Sequence, residues 1–167
     1  SSDVCSSDLF AFVQDVIIKH ITSLRGRYDY VVVDAGGFDS EIQRQAMLMA
    51  NVILIPLRPK RRDLKSLRDI DPIVDSVSSV NDQIKIRAVM NQCPSLPSQA
   101  ARIIAAKEIV ETFGIEAVPV NLYNRNVYDD AEEAGRSIFE MTGAERDKKA
   151  EAEIEALVEY VMTLEGE

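Results

Sequence analysis

Tyr30-Val31-Val32-Val33-Asp34-Ala35-Gly36-Gly37 decides the reading of this chain. It is a short apolar run that stops on a carboxylate and is followed by two glycines. A run without polar alternation fits a β-strand covered on both faces, as in a parallel α/β sheet. A carboxylate at the carboxyl end of such a strand lies on the rim where open α/β sheets bind ligands. Gly36 and Gly37 keep the next turn bare, so a ligand or metal can approach the backbone. The plain alternative is that Asp34 caps the following helix.

The flanking segments alternate in period. Phe10, Val13, Ile17, Ile21 and Leu24 recur at helical spacing, which predicts a helix over 10–24 that ends at Gly26. Asp39 or Ser40 then caps a helix to about Ala50, with Glu41 in its first turn. Asn51–Leu57 reads as a second buried strand, with Pro56 expected at its end. Asp63 is the expected N-cap of a helix through about Ser78, kinked or divided at Pro72. Ile84–Asn91 reads as a third strand ending on Asn91. Ser98 is the expected cap of a helix to about Phe113, with Ala101, Ile104, Ala105 and Ile109 on one face and Gly114 as its stop. Ile115–Val120 is a fourth short strand, followed by a short helix near Tyr128–Ala134 and a last helix over about 144–164. The last helix places Ile154, Leu157, Val158, Val161 and Leu164 on one face and acids on the other, a pattern for docking on the sheet rather than on a membrane surface. Strands alternating with helices imply a layered α/β domain with a mostly parallel sheet.

Bulk properties narrow the function classes. The chain has 167 residues, 46% of them hydrophobic and 28% charged, which suffices for a core. No apolar run approaches the ~20 residues of a membrane span. A net charge of −9 argues against a dedicated nucleic-acid binder while permitting a local basic patch. Cys5 and Cys93 form neither a disulfide framework nor a metal motif. These features predict a cytoplasmic protein with no membrane association. Ser1-Ser2-Asp3-Val4-Cys5-Ser6-Ser7-Asp8-Leu9 resembles a translated sequencing adapter and is set aside as a non-native scar. The expected organisation is therefore that scar over 1–9 and a single α/β domain over 10–167.

A parallel sheet gathers its strand ends on one rim, and four segments should meet there: 34–40, 58–63, 91–97 and 121–126. The second is basic: Arg58, Lys60, Arg61, Arg62, Lys65 and Arg68 face one nearby acid, Asp63. Cations at a helix N-terminus oppose its dipole, and a bound anion would reverse that penalty. A solvated charged loop is the plain alternative. Asn91 offers an amide to a base edge, or serves as a turn residue. His20 stands alone on a helix and is read as a surface or packing residue. The set suits a phosphorylated, base-containing ligand with a divalent cation.

These residues resemble the ParA/MinD-type deviant-Walker P-loop ATPases, the ParA partitioning branch in particular. Tyr28-Asp29-Tyr30-Val31-Val32-Val33-Asp34 is similar to their Walker-B strand. Asn51–Pro56, then Pro59 and Asp63-Leu64, is similar to the strand and helix that follow. Val89-Met90-Asn91 resembles the strand whose terminal Asn recognises the base. Arg125, Tyr128, Ala131 and Gly135-Arg136-Ser137-Ile138 resemble the family's closing motif, so the likeness spans about 28–140 in order.

The resemblance implies a Rossmann-like P-loop NTPase fold and an ATP-dependent homodimer that positions plasmids, chromosomes or other cargo. It further implies non-specific DNA binding and a partner protein that activates hydrolysis. By position, Asp34 becomes the Mg²⁺-side carboxylate, acting through water, and the catalytic candidate. Asn91 becomes an adenine contact and Arg125 a nucleotide-proximal residue. Lys60, Arg61 and Arg62 become candidates for the dimer interface or DNA. The phosphate-binding loop and the early strands of the family are not among these residues, so the chain is expected to be an N-terminally truncated fragment, inactive and weak in ATP binding. Two other readings keep a similar fold. One is a biosynthetic ligase of the dethiobiotin-synthetase or cobyrinate-amidation type, for which no substrate pocket is legible. The other is a non-catalytic regulatory module such as a receiver, which would need a lysine after a late strand, whereas Lys107 falls within a helix.

Overall fold

The computed structural model describes residues 17–35 and 40–165. The expectations for 1–16, and for Gly36, Gly37 and Asp39, lie outside the described residues. The chain divides into two compact units, one containing described residues up to Asn51 together with Ile73–Ile84, the other Val52–Pro72 with residues from Lys85 onward.

In the first unit, residues 17–25 form a helix, α1, that gives way to a turn at Gly26. Its lone His20 is exposed. Ser40 caps the next helix, α2 (Glu41–Met49), its side chain accepting from the N–H of Gln43 at 3.2 Å. Arg25 donates to the carbonyl of Met49 and, at 3.0 Å, to Asn51 Oδ1. Asn81 Nδ2 donates to the carbonyls of Leu48 and Ala50, both at 3.4 Å.

The strand expected over Tyr30–Asp34 does not form among the described residues. Val31–Ala35 carry no ladder, and Val32 is 93% exposed. An apolar run states a need for cover, but a strand exists only where neighbours complete its hydrogen bonds. Tyr28, Tyr30 and Val33 are exposed beside it.

The second unit is built on a parallel three-stranded sheet in the order β1 (Val52–Leu57), β2 (Lys85–Cys93), β3 (Glu116–Tyr123). Helices flank this sheet, giving a Rossmann-like α/β arrangement. β1 pairs with β2 in unbroken register from Val52 opposite Lys85 to Leu57 opposite Met90. Pro56 is the penultimate residue of β1, tolerated because β1 is an edge strand among the described residues. Ala88, Val89, Met90, Cys93 and Val118 are buried between strands and helices.

The helices depart from the sequence reading in instructive ways. Asp63 is not a cap: Lys60 occupies the N-cap of α3 (Arg61–Lys65), and Asp63 sits in the first turn. Its carboxylate instead grips Arg58, with Nε to Oδ2 at 2.6 Å and the terminal nitrogen to Oδ1 at 3.2 Å. The single helix expected through Ser78 is divided at Ser66, whose Oγ donates to the carbonyl of Asp63 at 2.6 Å, and resumes as α4 (Leu67–Val80). Pro72 lies inside α4 without ending it.

Ser98 is likewise no cap. It lies in a 3-10 turn (Pro97–Gln99), and Gln99 precedes α5 (Ala100–Glu111). The face of α5 that carries the four residues grouped by periodicity is the outer one. Ile103, Ala106 and Val110 are buried, whereas Ala101, Ile104, Ala105 and Ile109 are exposed. A helix with apolar residues on all sides gives periodicity no basis for choosing a face.

β3 runs to Tyr123 rather than Val120, so Asn121 lies in a strand rather than a loop. After it come α6 (Asn126–Glu133), two 3-10 turns, and α7 (Lys148–Glu165), which starts later than expected because Gly143–Glu145 form the second turn. As expected, α7 docks on the sheet, packing on β3 and β1. Tyr160 of α7 fixes that contact: Arg87 Nε donates to its hydroxyl at 3.1 Å, and Arg87 also pairs with Glu116 at 3.0 Å. Val127, Ala131, Ile138, Met141 and Ala150 form a small core under α6, flanked by Tyr128 and Ile154.

Candidate clefts at the carboxyl ends of β2 and β3

β2 does not stop on Asn91. It continues to Cys93 through an irregular end, where Gln92 adopts a left-handed backbone with φ of 48°. That conformation is unfavourable for a residue with a Cβ. Asn91 compensates locally, its Oδ1 accepting the N–H of Gln92 at 2.8 Å. The carbonyl of Cys93 accepts the N–H of Asn124 at 2.9 Å, which ties the end of β2 to the segment following β3.

Two clefts open beside this junction. The smaller, about 310 Å³, is lined by Pro94–Pro97, Ala100, Ile103, Tyr123, Arg125 and Lys149. The larger, about 680 Å³, is lined by Ser95, Asn124–Val127, Asp130 and 144–149. Ser95, Arg125 and Lys149 line both clefts, and Asn91 lines neither.

Arg125 occupies the N-cap of α6 with an extended backbone and no side-chain cap bond. Its guanidinium turns instead to α7. It donates through Nε to both carboxylate oxygens of Glu153, at 3.2 and 3.3 Å, and through a terminal nitrogen to Oε1. Asp147 lies 3.5 Å away on the other side, and the ring of Tyr123 is 5.8 Å from the guanidinium carbon. Hydrogen bonding to Glu153 holds the arginine pKa above its ordinary value. Asp147 also caps α7, accepting the N–H groups of Lys149 at 2.9 Å and Ala150 at 3.2 Å. Next to it, Arg146 makes two 2.7 Å bonds to the buried carboxylate of Glu151.

Asn121 Oδ1 and the Tyr128 hydroxyl are buried with no hydrogen-bond partner. Orphaned polar atoms of this kind call for a ligand, water or strain to explain them. Burial also pushes the Tyr128 phenol pKa upward. Lys107 is used structurally: its Nζ donates to the carbonyls of Val118 at 2.7 Å and Pro119 at 3.2 Å.

Asp34, Lys60, Arg61 and Arg62 are not among the residues that line the clefts. Asp34 is exposed and belongs to the first unit. Lys60, Arg61 and Arg62 are exposed at the start of α3, while Arg58 is engaged with Asp63. Among the described residues, no group of three or more His, Cys, Asp or Glu side chains is arranged to hold a metal. Also among the described residues, no helix is long and apolar enough to cross a membrane. The sequence reading did not single out Glu153, Asp147, Tyr123 or Lys149. Only the acid-rich face of α7 hinted at the first two.

No family model matches the chain. It is similar to the maintenance of carboxysome distribution protein A of Halothiobacillus neapolitanus (strain ATCC 23641 / c2), with 27% identity over 146 residues. The match covers 87% of this chain and 65% of that protein, so the chain spans just under two thirds of the length of its relative.

Proposed function

We propose that the chain is the base-side portion of a ParA/MinD-type ATPase that positions a large cargo, using ATP and Mg²⁺. One observation carries this reading: Asn91 and Arg125 stand near the adjoining ends of the parallel strands β2 and β3, with Asn121 Oδ1 of β3 and the Tyr128 hydroxyl of α6 buried without a hydrogen-bond partner. The similarity to a protein named for carboxysome distribution supports positioning as the task. In this reading Asn91 contacts adenine, Arg125 shapes the adjacent loop, and Asp34 holds Mg²⁺ through water. Lys60, Arg61 and Arg62 serve a homodimer interface or non-specific DNA, and an activating partner protein stimulates hydrolysis. No lysine-bearing phosphate loop occurs in the 167 residues. Nucleotide binding by this chain is accordingly weak, and hydrolysis is absent.

The test is base discrimination at millimolar nucleotide, read by saturation-transfer NMR. ATP should give stronger transfer than GTP, and Asn91→Ala should remove the difference. Equal transfer from both nucleotides in the unaltered chain would contradict the reading.

A further inference from the structure

We infer that Glu153 is a positioning residue, through which α7 sets the shape of both clefts. Three observations converge on its carboxylate. It accepts the backbone N–H of Tyr123 at 3.0 Å, at the last residue of β3. It holds the guanidinium of Arg125 two residues later. Tyr123 and Arg125 line the smaller cleft, and Arg125 also lines the larger. One side chain of α7 thus fixes both ends of the turn into α6. Charge-assisted bonds of this kind are the strong ones, and their geometry is directional.

The remainder of α7 does not depend on this contact. Tyr160, two turns further on, is anchored to Arg87 near the start of β2. Asp147 caps the helix start, and Arg146 satisfies Glu151. Loss of the Glu153 carboxylate should therefore free the 123–127 turn while leaving the helix docked. It also follows that Arg125 is not the free cation of the clefts. The exposed lysines of the linings are Lys149, in both clefts, and Lys148, in the larger. This inference stands independently of which ligand the clefts receive.

The experiment compares Glu153→Gln and Glu153→Ala with the unaltered chain, by amide hydrogen exchange and by the ¹⁵N NMR signal of the Arg125 Nε–H group. Glutamine keeps an oxygen for the Tyr123 amide but loses the charge that holds the guanidinium. In Glu153→Gln the Arg125 Nε–H signal should vanish into solvent exchange while the Tyr123 amide stays protected. In Glu153→Ala both should be lost, with exchange over 123–127 rising about tenfold or more and exchange in β1 and at the Tyr160 end of α7 unchanged. A side chain that acts only by filling space would show no difference between the charged and neutral forms. The inference is overturned if Glu153→Gln preserves the Arg125 signal. It is equally overturned if either variant raises exchange throughout β1 and β2, which would make Glu153 a determinant of the fold.

Discussion

The guanidinium of Arg125 lies against the carboxylate of Glu153, 28 residues further along the chain, with side chains only 18% and 14% exposed. Removing the cation leaves the Glu153 carboxylate, still 14% exposed, with the Tyr123 N–H as its remaining partner, while Asp147 keeps the N–H groups of Lys149 and Ala150. Arg125→Ala should therefore cost about 2 kcal/mol of unfolding free energy. Urea denaturation checks it, and a change within about 0.5 kcal/mol would place this pair among surface ion pairs of no consequence.

The two faces of α5 provide a paired test. Ile103 is 5% exposed and its neighbour Ile104 is 59% exposed. Ile103→Ala should cost about 2–5 kcal/mol through lost burial and a residual cavity. Ile104→Ala should stay within about 0.5 kcal/mol. Comparable losses from both substitutions would mean that the outer face of α5 is covered in solution.

That pair also shows where sequence reasoning reached its limit. The three strands of the sheet were legible because short β-branched and apolar stretches, six residues long in β1 and broken by polar residues in β2 and β3, lie between turn signals and helical segments. Ser40 was one of two caps open to the sequence, with Asp39, and its side chain is the one that accepts the Gln43 N–H. Asp63 was misread because Arg58, five residues earlier, offers its carboxylate a stronger partner than a backbone amide. The division of the helix at Ser66 leaves no mark in periodicity, since a side chain bonding back to a carbonyl looks like any other serine. Val31–Val33 were read as a strand from their apolarity alone, which cannot report whether a neighbour is present. In the site, Asn91 and Arg125 stood out as residue types, but their partners did not. Glu153 is one of many acids in α7, and only the tertiary fold brings it to the end of β3.

Cys93 should titrate late. It is fully buried, and burial pushes its thiol up from an ordinary value of 9.0 to about 11. Between those values the unfolded thiol has lost its proton while the folded one keeps it, so this residue's contribution falls as pH rises from about 9 towards about 11. Unfolding free energies measured across that window should decline more steeply in the unaltered chain than in Cys93→Ala. The native thiol should also resist alkylation at pH 8, as mass spectrometry at position 93 would show. Parallel pH profiles, or rapid labelling of Cys93, would count against this burial.

The basic start of α3 predicts salt-dependent contact with phosphate. Lys60, Arg61 and Arg62 are exposed, and Asp63 is occupied by Arg58. If the cluster meets DNA, Arg61→Ala with Arg62→Ala should weaken retention on DNA equally for all sequences. The slope of log affinity against log salt should fall by about 2. An unchanged slope with impaired self-association would assign the cluster to a dimer interface.

In the proposed reading, the adjoining ends of β2 and β3, with Asn91 and Arg125, receive the base end of an adenine nucleotide. Hydrogen exchange with and without 10-millimolar-scale ATP and Mg²⁺ tests it most directly, at roughly the concentration where weak ligands occupy a site. The account predicts slowed exchange confined to 91–97 and 121–128, with half-saturation no tighter than the millimolar range. Absence of protection in both segments, or protection elsewhere alone, would contradict it.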